Sequence, residues 1–434
     1  MTKVHGQHGH YHADMLSVED AFSRIIASFK PLEAENKQVL ETLGQVLAQD
    51  VTSPLKIPPT ANSAMDGYAV RNIDLSGATR EKPIILPVMG TISAGEVPEN
   101  AIIPGTAIRI MTGATIPSGC DTVVPFELTD EMERKAEDGN LDEIGIQTEE
   151  KVNSNVRPAG EDVELGELVL KKGTVVRPSE IGVLASLGFT TVNVIRRPNV
   201  SILATGNELL APGETQQPGK IFDSNSFGLA AAVQKHGGIP RVIGIARDDL
   251  TDVRVKLDEC LDSDLILTSA GVSKGDYDVV KDALSELGEM KFWSVRMRPA
   301  KPLAWGMLKD RKGRRIPHLG LPGNPVSAMV AFEEFARPAI LKMLGKVRLD
   351  RPMVEAVMQA PIFNYDKRRV FARVLVSNHN GVFHATPVGP QGSNILTSMA
   401  RANGLAICPE DLEQINTGEI VNVKMIDWNE EVGI

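Results

Sequence analysis

The sequence predicts a multidomain α/β protein: a central open α/β domain, an elongated α+β N-terminal subdomain carrying an inserted β region, and a small β-barrel-like C-terminal domain. Three observations lead there. Between residues 196 and 345 apolar, strand-like runs alternate with helical patterns, the signature of an open α/β sheet. Three of those runs end in glycine-bearing loops that also carry acids or helix-start residues, where such sheets place their ligands. On either side, residues 58–150 and 346–434 read as short strands separated by Gly and Pro turns.

Taken in order, Ser17 caps a helix running to about Phe29, with Glu19 and Asp20 in its first turn, and Lys37–Leu47 reads as a second helix. Residues 13–57 and 151–195, the latter with a helix near 178–187, are read as one elongated subdomain interrupted by the β region 58–150. Within the insertion, TDEMERKAEDGNLDE at 129–143 reads as a solvated excursion. The central domain, 196–345, has strands near 199–204, 240–246, 264–269, 302–306 and 316–320. Its helices lie near 225–237, 249–261, 278–287 and 325–344. The basic run Lys309–Arg315 falls between two strands and reads as a hairpin tip. Residues 346–434 form the C-terminal β domain.

Composition excludes several classes of function. A formal net charge of -10 leaves no basic face for nucleic acid. No apolar run reaches transmembrane length and no charged-then-apolar signal opens the chain. Three widely spaced cysteines, Cys120, Cys260 and Cys408, give neither a disulfide framework nor a thiolate zinc site, which fits the cytoplasm. The histidines at the start, His5 to His12, read as a polar extension with no catalytic role. Neither GxxxxGK[ST] nor a helix-opening GxGxxG is present, and HExxH is absent.

The chemistry lies in the loops. In DLILTSAGVSKGDYD, 264–278, a buried strand breaks into small residues and then two acids. Backbone N–H groups of such a loop favour phosphate, and Asp276 and Asp278 are suited to a divalent cation beside it. In HLGLPGNPVSAMV, 318–330, Asn324 stands at an N-cap position with Pro325 at the first helical position, making an exposed helix N-terminus. LATGNELL at 203–210 places Glu208 after Gly206. Asp66, Glu208, Asp223, Asp248, Asp276 and Asp278 are the candidate carboxylates, each next to Gly or at a strand end, and oxygen ligands favour magnesium over zinc. Arg298 and Lys301 precede an apolar strand and are candidates for oxyanions. Arg368 and Arg369 alternate on a strand, so only one of them faces a site.

Read together, PPTANSAMDGYAVR (58–71), IMTGATIPSGCDTVVPFE (110–127), VRPAGEDV (156–163), LATGNELL, GKIFDSNS (219–226), SAGVSKGDYD (269–278), RPAKPLAWG (298–306), GLPGNPVSA (320–328) and GPQGSNILTSMARANGL (389–405) resemble the molybdopterin molybdenumtransferase family. That family takes in the MoeA proteins and the gephyrin E domain. The resemblance spans nearly the whole chain from about residue 13 and implies that the central domain binds molybdopterin. The implied reaction takes adenylylated molybdopterin and molybdate, releases AMP with Mg²⁺, and leaves molybdenum in the dithiolene. On this resemblance Asp66, Glu208 and Asp278 match acids linked to activity, and Thr112, Arg157 and Asp162 match further site positions. The loops bearing Ser269, Gly271, Ser273 and Gly275, and Pro322, Gly323, Asn324, Pro325 and Ser327, would cradle the pterin phosphate and nucleotide. Lys301, Ser327, Arg368 and Ser398 would serve molybdate, and Asp278 with Asp276 and Asp248 the magnesium. The family often has Phe where Thr60 stands and Glu where Val370 stands. It also implies a homodimer whose active site is shared between subunits. The rivals are a related molybdopterin adenylyltransferase, a tungstate-using homologue and a non-catalytic dimeric scaffold; the β region with NSAMDGYAV and the retained acids favour the molybdenum-inserting enzyme.

Overall fold

The structure, a computed structural model, describes residues 15–137, 139–270 and 279–428. The N-terminal helix Val18–Ile26 forms as its sequence directs: the Ser17 hydroxyl accepts the Asp20 N–H at 3.0 Å. Its Val18, Ala21 and Ile25 enter the core of the central α/β unit. The helix expected over 37–47 does not form. Ala34–Gln38 is a strand paired antiparallel with Thr191–Ile195, followed by a short 3₁₀ turn, Val39–Thr42. The apolar spacing that read as helical leaves Leu40 80% exposed, and Gly44 at φ +79° ends any helical path. Long-range pairing overrides local propensity here.

The β region is a five-stranded sheet in the spatial order 122–125, 67–70, 107–110, 84–92, 143–146. Gly67 is dictated by crowding, because a Cβ there would stand 2.0 Å from the Val124 carbonyl oxygen. The acidic tract is not simply solvated. It forms a helix, Glu131–Glu137, whose Glu131 side chain is buried between Arg109 (2.8 Å) and Lys135 (2.6 Å). The Arg109 guanidinium also lies over the rings of Tyr68 and Phe126 and donates to the Gly67 carbonyl.

The central sheet has six strands in the order 239–246, 199–205, 265–269, 315–321, 302–309, 288–294. The first four are parallel, whereas Pro302–Lys309 runs antiparallel to both its neighbours. That reversal brings the start of Pro302–Lys309, and Lys301 before it, to the carboxyl ends of the parallel strands. The edge strand Gly288–Ser294 was not foreseen. The single helix expected over 325–344 is three pieces, Pro325–Ala331, a π turn Phe332–Ala336 and Arg337–Met343. Pro338 has no N–H for the carbonyl four residues back, and the π turn absorbs the break. It carries two buried acids, Glu333 and Glu334.

The C-terminal strands close on themselves. Arg369–His379 pairs with Val382–Pro387 and Gly404–Cys408, and Met353–Met358 and Ile420–Met425 complete the ring, a small barrel with its own apolar core. Lys424 of the barrel donates to both oxygens of Glu334, at 2.6 and 2.7 Å, tying it to the central unit.

Candidate functional site

A cavity of about 910 Å³ opens where Asn199–Thr205, Leu265–Ser269 and Arg315–Leu321 end, and loops of the barrel close its far side. Thr205, Ser269 and Pro322, at or just past the ends of three parallel strands, meet there. Asn225, the first residue of the helix Asn225–Lys235, holds the loops together: its amide donates to the Ser269 hydroxyl at 2.6 Å and to the Gly323 carbonyl at 2.7 Å. Gly323 packs so closely on Ala270 that an added Cβ would lie 3.3 Å from the Ala270 methyl. Ala270 and Ala300, on two loops of the cavity, adopt φ +79° and +75°. Left-handed backbone in a residue with a Cβ is strained and gathers at functional sites.

One wall is cationic: Arg298, Lys301 and Arg368 line it. The Arg368 Nε donates to Asp366 Oδ2 at 2.8 Å, and Arg298 NH1 lies 3.8 Å from the same oxygen. Burial works against ionising Asp366, but the Arg368 hydrogen bond and the two guanidinium charges hold it below the usual carboxylate range. Two guanidiniums therefore share one carboxylate, and this part of the wall keeps a net positive charge. Glu208 lies on the other side. Its carboxylate folds over Gly206, at φ +143°, where a Cβ would come within 2.4 Å of Oε2.

Of the residues picked out in the sequence, Glu208, Ser269, Lys301 and Arg368 line this cavity. So do Pro322, Gly323, Asn324, Pro325 and Ser327. Gly271, Ser273, Gly275, Asp276 and Asp278 lie outside the described residues. Asp248 does not line the cavity; its Oδ2 accepts the N–H of Asn207, the residue before Glu208, at 3.1 Å. Arg369, the first residue of the strand Arg369–His379, points elsewhere, to Glu410 and Glu19.

Three expectations are corrected. Ser398 does not line the cavity; it is buried, accepts from Arg373 Nε at 3.0 Å and donates its one O–H to the Ile395 carbonyl at 2.6 Å. Asn324 sits at the N-cap position but makes no capping bond, and its amide donates instead to Ser393 Oγ at 3.1 Å. The N-terminus of Pro325–Ala331 is not wholly open, because the Val326 N–H is taken by the Ser393 carbonyl at 3.1 Å. The barrel loop carrying Gln391, Gly392, Ser393 and Asn394 thus docks on that helix and enters the cavity wall.

Asp66 and Thr112 form a second constellation, on the β region. Asp66 is exposed, and its Oδ1 accepts both the Thr112 N–H at 2.6 Å and the Thr112 hydroxyl at 2.8 Å. Those bonds, the backbone one first, pull its pKa below the ordinary value. Arg157 lies in register with Asn62, and the Asp162 N–H donates to the Ile57 carbonyl. None of these four residues lines the 910 Å³ cavity. Sequence reasoning missed Asn225, Asp366 and the 391–394 loop. The acid two positions before the Arg368–Arg369 pair was the available signal for Asp366.

A cavity at strand carboxyl ends, walled by cations and closed by a separate barrel, defines an α/β protein that handles an anionic ligand between domains. Comparison with known proteins makes this particular. Residues 16–188 match the MoeA N-terminal region (domain I and II), 201–342 the probable molybdopterin binding domain, and 355–426 the MoeA C-terminal region (domain IV). A molybdopterin molybdenumtransferase 2 of Mycobacterium tuberculosis is 40% identical over 387 residues, covering 88% of this chain and 92% of the relative. The molybdopterin molybdenumtransferase of Bacillus subtilis is 34% identical, covering 95% and 94%. A crystal structure of a molybdopterin biosynthesis MoeA protein from Pyrococcus horikoshii superposes with a TM-score of 0.78 at 31% identity, covering 96% of this chain and 100% of that one. The chain belongs to the molybdopterin molybdenumtransferase family.

Proposed function

We propose that this protein inserts molybdenum from molybdate into adenylylated molybdopterin and releases AMP, in the biosynthesis of molybdenum cofactor. The observation that carries the reading is the cationic, loop-lined cavity between the central domain and the barrel, in a chain that covers 92% of a molybdopterin molybdenumtransferase's length. The phosphoanhydride breaks with uptake of one water, so that AMP leaves with one phosphoryl group and the pterin keeps the other, and the two dithiolene thiols bind molybdenum as one molybdate oxygen leaves as water with their protons. Both the dianionic linkage and molybdate call for fixed positive charge. Arg298 and Arg368, held by Asp366, supply planar hydrogen-bond donors, and Lys301 supplies a point charge. Donors fixed before substrate arrives need no reorganisation at the moment of bond breaking.

Magnesium fits the donor set. Among the described residues no three His, Cys, Asp or Glu side chains gather into a metal cluster, and the candidate donors are the carboxylates picked out in the sequence. Magnesium is suited to that arrangement, since it keeps several waters and completes its shell with substrate phosphates. Glu208, on the cavity, and Asp248, through its second oxygen, would hold it together with the acids of the 276–278 segment. When bound, the ion neutralises charge on the pyrophosphate.

The protein is proposed to act as a homodimer in which Asp66, fixed by Thr112, reaches the cavity of the other subunit. Among the described residues no helix is long and apolar enough to cross a membrane. All three cysteines are free thiols, and a reducing cytoplasm is the setting we propose. The test is to incubate the protein with adenylylated molybdopterin, magnesium and molybdate and to measure AMP. Molybdate-dependent release supports the reading. Binding of partner peptides without AMP release would instead make the protein a scaffold, and formation of adenylylated pterin from ATP would make it an adenylyltransferase.

A further inference from the structure

Beside the main cavity lies a smaller one of about 330 Å³, and the two share Arg298, Pro299 and Gln391. The smaller one is bordered by Phe363 and Tyr365, whose rings stack on each other with centroids 5.6 Å apart and planes 10° apart. Both are exposed, Phe363 at 42% and Tyr365 at 80%, so the pair presents open ring surface to solvent. Exposed aromatic surface bordering a cavity is a feature of ligand-binding grooves.

The backbone beneath the pair is fixed. Asn364, between the two rings, is buried; its N–H donates to the Glu413 carbonyl at 2.7 Å and its amide to the Pro409 carbonyl at 3.0 Å. The Phe363 carbonyl accepts from Arg298, and Asp366, next after Tyr365, is held by Arg368. The segment carrying the rings is therefore bonded to the same two guanidiniums that form the cationic wall. A ligand whose phosphate meets Arg298 and Arg368 would have its ring system next to this aromatic surface.

We propose that Phe363 and Tyr365 form a stacking subsite for the fused heteroaromatic ring of a phosphate-bearing ligand, the adenine or the pterin of the substrate. It deepens the proposed function and rests on it. The charge of the wall supplies affinity without regard to the rest of the ligand, whereas a planar platform recognises a flat π-face, as base–aromatic stacking does in nucleotide-binding proteins. Selectivity for a ring-bearing phosphate over a simple one would come from this pair.

Three probes test it by calorimetry on the full chain: AMP, 6-hydroxymethylpterin phosphate and pyrophosphate, each against wild type, Tyr365→Ala, Phe363→Ala and Tyr365→Phe. The expected result is a loss of about tenfold in affinity for AMP or for the pterin phosphate in both alanine variants. The ring ligand that weakens identifies the occupant. Pyrophosphate affinity should stay unchanged, and Tyr365→Phe should bind as wild type does. Equal losses for pyrophosphate and the ring ligands would show a structural role and overturn the proposal. So would alanine variants that bind both ring ligands as wild type does, including the case in which they change only oligomeric mass. A wild type that binds pyrophosphate with no preference for either ring ligand overturns the subsite while sparing the anion cavity. A wild type that binds none of the three overturns the proposed function as well.

Discussion

Removing the Arg368 guanidinium should cost the cavity one positive charge and the charged N–H donors that Asp366 and the Met297 carbonyl leave free. In the wild type Arg298 and Arg368 share Asp366, whose Oδ2 lies 2.8 Å from Arg368 Nε and 3.8 Å from Arg298 NH1. Two cations against one anion leave about +1, and Arg368→Ala brings this cluster to neutral. A hydrogen bond to a charged group contributes roughly 1.5–3 kcal/mol, which corresponds to about 10- to 150-fold in affinity. Partial solvent access to the wall places the expected loss near the lower end, about tenfold. Arg368→Lys should recover only part of it, since a point charge cannot reproduce the planar donors. Asp366→Asn shifts the balance the other way, toward +2, and should tighten anion binding at low salt. The assay is the half-saturation of AMP release by molybdate, together with the inhibition constant of pyrophosphate, on variants whose melting temperatures match wild type. An Arg368→Ala protein of intact fold that keeps both constants within about twofold would refute the charge argument.

Three further outcomes are expected. If the site is shared across a dimer, the inactive variants Asp66→Ala and Asp278→Ala should complement on subunit exchange, recovering roughly a quarter of wild-type AMP release by two-fold symmetry; confirmed exchange with no recovery rules out the shared site. Gly206→Ala should lower activity about as far as Glu208→Gln, because the new Cβ would stand 2.4 Å from Glu208 Oε2 at a φ of +143°; near-normal turnover would show that the carboxylate's position is unimportant. Burial opposes ionisation of Glu333, yet two hydrogen bonds from Arg351, at 2.9 and 3.0 Å, and the Arg351 charge hold it at about 2, below its ordinary 4.5. Because that folded pKa is depressed, its stabilisation is complete above about pH 4.5 and is lost as pH falls toward 2. Glu333→Gln, leaving Arg337 and Arg351 without their carboxylate, should destabilise by about 3–5 kcal/mol at pH 7 and flatten that acid limb; calorimetry showing an unchanged melting temperature would contradict this.

Features written in short stretches of sequence were legible. Ser17 with two acids after it specified a cap that the structure contains, and the strands ending near Thr205, Ser269 and Leu321 were readable because apolar runs break at glycine or small residues. Features decided at long range were not. The 37–47 segment has helical spacing, but its first residues are claimed by pairing with Thr191–Ile195. Ser398 resembles a hydroxyl ligand in sequence, and only the packed barrel shows it turned inward to Arg373. The antiparallel course of Pro302–Lys309 is what carries Lys301 to the cavity, and no local pattern states a strand's direction. Asp366 was passed over because nothing local joins it to Arg298, 68 residues away, whereas in the fold one carboxylate organises both guanidiniums of the cationic wall.

On the proposed function, molybdenum enters the dithiolene as AMP leaves, at one active site. A single-turnover reaction with adenylylated molybdopterin, magnesium and molybdate, quenched at intervals, gives AMP by chromatography and pterin-bound molybdenum by mass spectrometry. The two should appear together in equal amounts, and neither should appear in Asp278→Asn. AMP release at full rate without molybdate incorporation, or incorporation with the adenylyl group still attached, would contradict it.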